Sequence, residues 1–319
     1  MSASKGLFLQ NIIAIIWDFD KTLSPHFMQR PIFQEYGIDE DEFWKEVNAL
    51  PAYYQRAGVE IQPDTSYLVH LLSYVKAGRM PGLTNAKLEE LGGRIKLFPG
   101  LPVFFGRLSG VLDAPEFKQG DLRLEHYVVS TGLEAMIRGS AIAPHVNGVW
   151  ASAFIEQAAA PGFDPNDTPG SGVIAHIAGF LDNTTKTRAV FEINKGVNAS
   201  NAVSVNDSIA EEDRRVPFRN MIYVADGPSD VPSFSVMRKH GGLAYAVYDP
   251  DSDAHFRQAE GLQKSQRVDA FGPADYREGS HTDKWFRLQL RHIAQRIIDD
   301  RRRATEGRIT KGPVHRPED

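Results

Sequence analysis

The sequence predicts an α/β protein: an open, Rossmann-like, mainly parallel sheet with helices on both faces, plus a smaller helical domain. Two observations predict it. Four short, uninterrupted apolar runs lie along the chain, and segments of helical periodicity separate them. Unbroken β-branched and aromatic runs suit strands buried on both faces, and their alternation with helices is the pattern of a parallel sheet.

The first run is Ile12–Trp17 (IIAIIW). The others are His126–Val129 (HYVV), Met221–Ala225 (MIYVA) and Leu243–Val247 (LAYAV). Helical patterns cover Leu101–Leu112 after the Pro99-Gly100 break, Lys186–Asn194 and Val231–His240. Between the first and second runs, residues 25–96 are mostly helical in pattern. Asp41–Leu50 follows an Asp39/Asp40 capping signal, and Ser66–Ala77 carries Leu68, Leu71, Leu72 and Val75 on one stripe. This insert reads as a second domain hinged at Ser24-Pro25 and at Phe98-Pro99-Gly100. The expected division is residues 7–24 and 97–250 as the α/β core, 25–96 as the helical domain, and 251–319 as a C-terminal extension. In that extension Phe286, Leu290, Ile293 and Ile297 mark a helix packed on the core. Ala158–Gly172 and Asp249–Thr282 read as loops, the first from its Pro, Gly and Asp content, the second from its weak periodicity.

With 319 residues there is ample chain for a large core. A formal net charge of −5 gives no basic field for nucleic acid or anionic membrane. The absence of cysteine excludes disulfides, thiolate metal sites and cysteine nucleophiles, and fits a reducing compartment. The run at Ile12 is too short to span a bilayer and leads into acids, so no signal peptide is read and a cytoplasmic location is expected. The basic Arg301–Arg303 follows Asp299 and Asp300 and reads as a solvated helix end.

Chemistry is expected where the runs end. The first stops at Asp18-Phe19-Asp20-Lys21-Thr22, and ligands of open α/β sheets bind at the carboxyl ends of the strands. Two carboxylates at i and i+2 there repel each other, and a hard divalent cation resolves the conflict. Either acid alone could equally be a turn or helix cap. An EF-hand loop does not fit, because Thr22 and Leu23 occupy the positions of a ligand and of the loop glycine. The third run ends in Asp226-Gly227-Pro228-Ser229-Asp230, read as a turn and cap on its own but as a completion of the metal site if both tips share one edge. The second run ends in Ser130-Thr131-Gly132, whose hydroxyls and backbone N–H groups suit a phosphate oxygen or a helix cap. Lys186 opens a helix, where a cation is unfavourable unless it faces a dianion. Lys195 is the competing lysine, placed where a helix C-terminus would favour it anyway.

In this order, Asp18/Asp20/Thr22, Ser130, Lys186 and Asp226/Asp230 resemble the motifs of the haloacid dehalogenase superfamily, in its phosphatase branch. The resemblance covers residues 7–24 and 97–250, and the insert matches by position only. It departs from the pattern at Ala225, where an acid or glycine is often found. It implies a Mg²⁺-dependent phosphomonoester hydrolase acting on a small phosphorylated metabolite. Asp18 is then the nucleophile and Asp20 the acid and base. Asp18, Asp20 and Asp226 are the metal ligands, with Asp230 behind them. Ser130, Thr131 and Lys186 hold the phosphate. A phosphotransferase or mutase, or a silent metal- or phosphate-binding module, remains the alternative. The insert would lie over the site and choose the substrate, with His26, Gln29, Arg30, Arg56 and Arg79 as its polar candidates. No nucleic-acid or membrane partner is expected, and the oligomeric state stays open.

Overall fold

A computed structural model describes residues 9–309, with side chains described to Arg303. Residues 7, 8 and 310–319 of the expected division lie outside it.

In chain order the elements are β1 (Ile12–Trp17), α1 (Arg30–Tyr36), α2 (Glu40–Gln55), α3 (Ser66–Lys76), α4 (Asn85–Gly92) and α5 (Val103–Ser109). There follow β2 (Arg123–Leu133), α6 (Glu134–Gly139), β3 (Gly148–Ile155), β4 (His176–Gly179), α7 (Lys186–Lys195) and β5 (Met221–Ala225). The last are α8 (Val231–Lys239), β6 (Leu243–Tyr248), α9 (Asp253–Lys264), β7 (Ala270–Pro273) and α10 (His281–Ile309). The strands form one seven-stranded sheet in the order β4-β3-β2-β1-β5-β6-β7. All pairings are parallel except that of β4 with β3.

The alternation of β1 divides the core. Ile13, Ile15 and Trp17 face one apolar cluster, while Ile12, Ala14 and Ile16 face the other. The first cluster takes in α5 and α10, and Trp17 stacks on Phe286 of α10 at 5.4 Å. The predicted stripe Phe286, Leu290, Ile293 and Ile297 is buried there. The second cluster takes in α7, α8 and α9.

The insert carries α1 to α4. Its apolar residues, among them Phe33, Phe43, Leu68 and Leu88, belong to the first cluster rather than to a core of their own. Two glycines bring α4 against α6. A Cβ at Gly92 would collide with the backbone of Met136, and one at Gly139 with the backbone of Glu89. At the hinges, Phe98 N–H donates to Leu23 C=O at 2.9 Å, closing the neck of the insert.

One expectation fails. Asp249–Thr282 is not a loop: it contains α9 and β7, and β7 extends the sheet beyond residue 250. The α9 pattern is sparse, resting on Phe256, Ala259 and Leu262, although Ser252 caps it by accepting the His255 N–H. The strand is four residues long and includes Gly272 and Pro273, which weaken a strand signal but are tolerated at a sheet edge. Ala158–Gly172 is irregular, as expected. No helix among the described residues is long and apolar enough to cross a membrane.

Candidate active site

Strand register brings the motifs together. Trp17 lies beside Val128 on one flank and Val224 on the other, so Asp18 and Asp226 follow their strands at one edge, next to Ser130; the expected turn at Ser130-Thr131-Gly132 is instead the last, irregularly paired stretch of β2. The Asp18 N–H donates to Val224 C=O at 2.9 Å, which carries the β1–β5 pairing to the acid itself. Beyond it the chain turns back: Thr22, Leu23 and Ser24 N–H groups converge on Phe19 C=O, with Lys21 at a φ of 59°. Tyr276, just after β7, donates to Thr22 C=O at 2.6 Å and fixes this turn.

The turn aims Asp18 at Lys186. Lys186 Nζ donates to Asp18 Oδ1 at 2.8 Å and to Asp230 Oδ1 at 2.8 Å. Thr22 Oγ1 donates to Asp18 Oδ2 at 3.1 Å. Asp230 also accepts from Tyr223 Oη at 2.7 Å and Ser229 Oγ at 2.9 Å. All three ionic groups are buried. The lysine's unfavourable place at a helix start is offset by these two acids and by Asp182, which accepts the N–H groups of Thr184 and Thr185. Lys195 does not compete: its Nζ donates to the carbonyls of Val205 and Asp207, tying down a loop.

Carboxylate oxygens of Asp18, Asp226 and Asp230 lie within 4.8 Å of one another. Burial raises Asp18 to about 6 against the pull of Lys186. It raises Asp226 to about 7, with the charges of Asp18 and Asp230 adding to the shift. It holds Asp20 well above the ordinary carboxylate range, with help from Asp18. Burial also opposes the charge of Lys186, yet Asp18 and Asp230 together outweigh it and its pKa is raised. Asp18, Asp226 and Asp230 against one buried lysine leave a surplus of acid that a hard cation would relieve. The donor set fits such an ion. Both oxygens of Asp18 and of Asp230 already accept hydrogen bonds, whereas the Asp226 carboxylate accepts none among the described residues and is the freest to meet an ion.

Asp20 is not one of this trio. Its Oδ1 accepts the Met28 N–H at 2.8 Å, and its carboxyl lines a cavity of about 250 Å³ between the strand tips and the insert. Thr131 and Gly132 form the near wall, while Gln29, Trp44, Asp64 and Tyr67 come from the insert. Ser130 Oγ accepts the Gly132 N–H at 3.0 Å, which leaves its own proton free to donate. A Cβ at Gly132 would run into the far end of the Met28 side chain, which packs against this stretch of β2. Tyr67 Oη donates to Thr131 C=O at 2.7 Å and ties the insert to this wall.

The insert candidates divide. Gln29 is buried and faces the cavity. Arg30 does not: its guanidinium pairs with Glu40 at 2.8 Å, across the start of α1 and α2. Arg56 is exposed beside Tyr53, and Arg79 lies over Tyr74. His26 is half-buried and does not line the cavity. Sequence reasoning missed Tyr223, Tyr276, Tyr67, Trp44 and Asp64. A signal existed for Tyr223, since a phenol inside an otherwise apolar strand needs a partner for its hydroxyl.

No family model matches the chain. An uncharacterized protein of Borreliella burgdorferi is 36% identical over 282 residues, covering 86% of this chain and 95% of that protein. Solved structures to which the chain is similar include a HAD family hydrolase from Salmonella enterica serovar Typhi, at 16% identity and a TM-score of 0.45. That match covers 76% of this chain and 65% of the hydrolase, so the chain spans just under two thirds of its length. A phosphoserine phosphatase solved as a phospho-aspartyl intermediate analogue matches at 17% identity and a TM-score of 0.45, covering 82% of this chain and 93% of that one. A probable phosphoserine phosphatase from Vibrio cholerae matches at 13% identity and a TM-score of 0.48, covering 91% and 68%.

Proposed function

The chain belongs to the same family as the Borreliella burgdorferi protein, and we propose that it is a phosphatase of the haloacid dehalogenase type, a Mg²⁺-dependent hydrolase of small phosphomonoesters. The observation that carries this reading is the buried Asp18–Lys186–Asp230 chain, with the Asp226 carboxylate in reach of Asp18.

Asp18 Oδ attacks phosphorus, the bond from phosphorus to the ester oxygen breaks, and an aspartyl-phosphate forms. Asp20 gives its proton to the departing oxygen, for which burial keeps it protonated. In the second step Asp20 takes a proton from water as that water attacks phosphorus, which releases inorganic phosphate and restores Asp18. Lys186, Ser130 and Thr131 hold the phosphoryl oxygens as charge spreads over them. Lys186 also keeps Asp18 ionised and oriented. Mg²⁺ held by Asp18 and Asp226 would offset the negative charge shared by nucleophile and phosphate. The lack of cysteine supports action in a reducing compartment such as the cytoplasm.

The test is phosphate release from p-nitrophenyl phosphate, with magnesium and after its chelation. The wild type should turn over only with the metal, and Asp18→Asn should lose at least about 10³-fold. Metal-independent hydrolysis, or unchanged hydrolysis by Asp18→Asn, contradicts the reading.

A further inference from the structure

The cavity beside Asp20 has one-sided chemistry. No lysine, arginine or histidine lines it. Lys186 is bound to Asp18 and Asp230, and Lys21 stands over the ring of Phe27, a wall residue, at 4.5 Å without lining the cavity itself. Asp64 lines it from the start of α3, accepts the Asn183 N–H at 3.2 Å, and has no ion pair among the described residues. Gln29 is 2% exposed, and its Oε1 is buried without a hydrogen-bond partner. Trp44 presents its ring, and its buried Nε1 also lacks a partner. Asn48 adds an amide, and the Trp44 and Tyr67 rings stand 5.9 Å apart.

A buried carbonyl oxygen left without a donor is costly unless a ligand supplies one. Here that oxygen shares a wall with an unpaired carboxylate and two aromatic faces. All three favour a cation that carries N–H groups. A carboxylate or second phosphate on the leaving group would instead meet Asp64 with nothing to neutralise it. Trp44 Nε1 can donate to an oxygen of the same ligand.

We propose that the substrate is the phosphate monoester of a small amino alcohol, its ammonium group held by Gln29, Asp64 and the Trp44 ring. The inference rests on the phosphatase reading and deepens it. Asp18 takes the phosphoryl group, Asp20 protonates the alkoxide, and water then releases phosphate, so the products are inorganic phosphate and the free amino alcohol. At about 250 Å³ the cavity has ample room for a leaving group of this size.

The experiment compares kcat/KM for O-phosphoethanolamine, glycerol phosphate and O-phosphoserine, with p-nitrophenyl phosphate as the reference, all with magnesium. The ethanolamine ester should exceed glycerol phosphate by about tenfold or more, the worth of one charged hydrogen bond, and phosphoserine through the repulsion between its carboxylate and Asp64. Asp64→Asn should shrink its advantage over glycerol phosphate about tenfold, a ratio that a general loss of folded enzyme does not move. Preference for phosphoserine or for glycerol phosphate, with p-nitrophenyl phosphate still hydrolysed, overturns this inference and leaves the phosphatase reading standing. No magnesium-dependent hydrolysis of p-nitrophenyl phosphate removes both.

Discussion

The strand-tip cluster and the cavity under the insert are a few residues apart and are finished to different degrees. At the tips, Asp18, Lys186, Asp230, Thr22 and Tyr223 satisfy one another's hydrogen bonds. Under the insert, Gln29 Oε1 and Trp44 Nε1 are buried with no partner. The difference separates two tasks. On the proposed reading, chemistry common to all phosphomonoesters is assembled by the fold before any substrate arrives, because misplaced charges there would cost most. Recognition of one leaving group is left open for the ligand to complete.

Asp20 stands on the border, and its replacement should separate the two regions most sharply. Asp20→Asn should lose about 10²–10⁴-fold on alkyl phosphates and far less on p-nitrophenyl phosphate, whose leaving group needs no proton. Equal losses on both would reject its role as acid. Next comes the lysine. Lys186→Met strands Asp18 and Asp230 as buried, unpaired acids and should destabilise the fold by about 3–5 kcal/mol, read from denaturant unfolding. A neutral outcome would mean that the tips are not held by this charge chain. Tyr223→Phe removes one donor from Asp230 and should cost about 1–3 kcal/mol, less than Lys186→Met, since Lys186 and Ser229 still serve that carboxylate.

A separate, pH-dependent effect concerns His126, buried beneath Trp17, whose Nε1 donates to His126 Nδ1 at 3.2 Å. Burial, reinforced by His145, lowers its pKa to about 3. The unfolded chain therefore binds a proton below about pH 6.5 that the folded chain refuses. This contribution to stability is complete above that pH and fades as pH falls from about 6.5 toward 3, by about 1.4 kcal/mol per unit. His126→Gln should flatten the acid limb of Tm against pH. An unchanged limb would remove this histidine from the account.

What the sequence makes legible follows the same border. Each strand-tip acid follows a continuous apolar strand, so its place could be read from the strand before it: Asp18 after IIAIIW, Asp226 after MIYVA. Lys186 was legible as a cation at the wrong end of a helix, though only the contacts separate it from Lys195. The cavity was hidden because its walls come from elements distant in sequence. Trp44 sits on α2, Asp64 precedes α3, and neither breaks the pattern of its own segment. Arg30 and Arg56 drew attention as cations, yet Arg30 is consumed by Glu40 and Arg56 stays at the surface. The α9–β7 segment escaped notice because a short edge strand carrying Gly272 and Pro273 looks like a turn.

The central claim is that Asp18 carries the phosphoryl group during turnover. Acid quenching of the enzyme in the steady state with magnesium, followed by peptide mass spectrometry, tests it directly. The account predicts a phosphoryl adduct on Asp18 in the peptide that contains it. An adduct on a serine, threonine or histidine, or hydrolysis with no adduct even when the second step is slowed by Asp20→Asn, would contradict it.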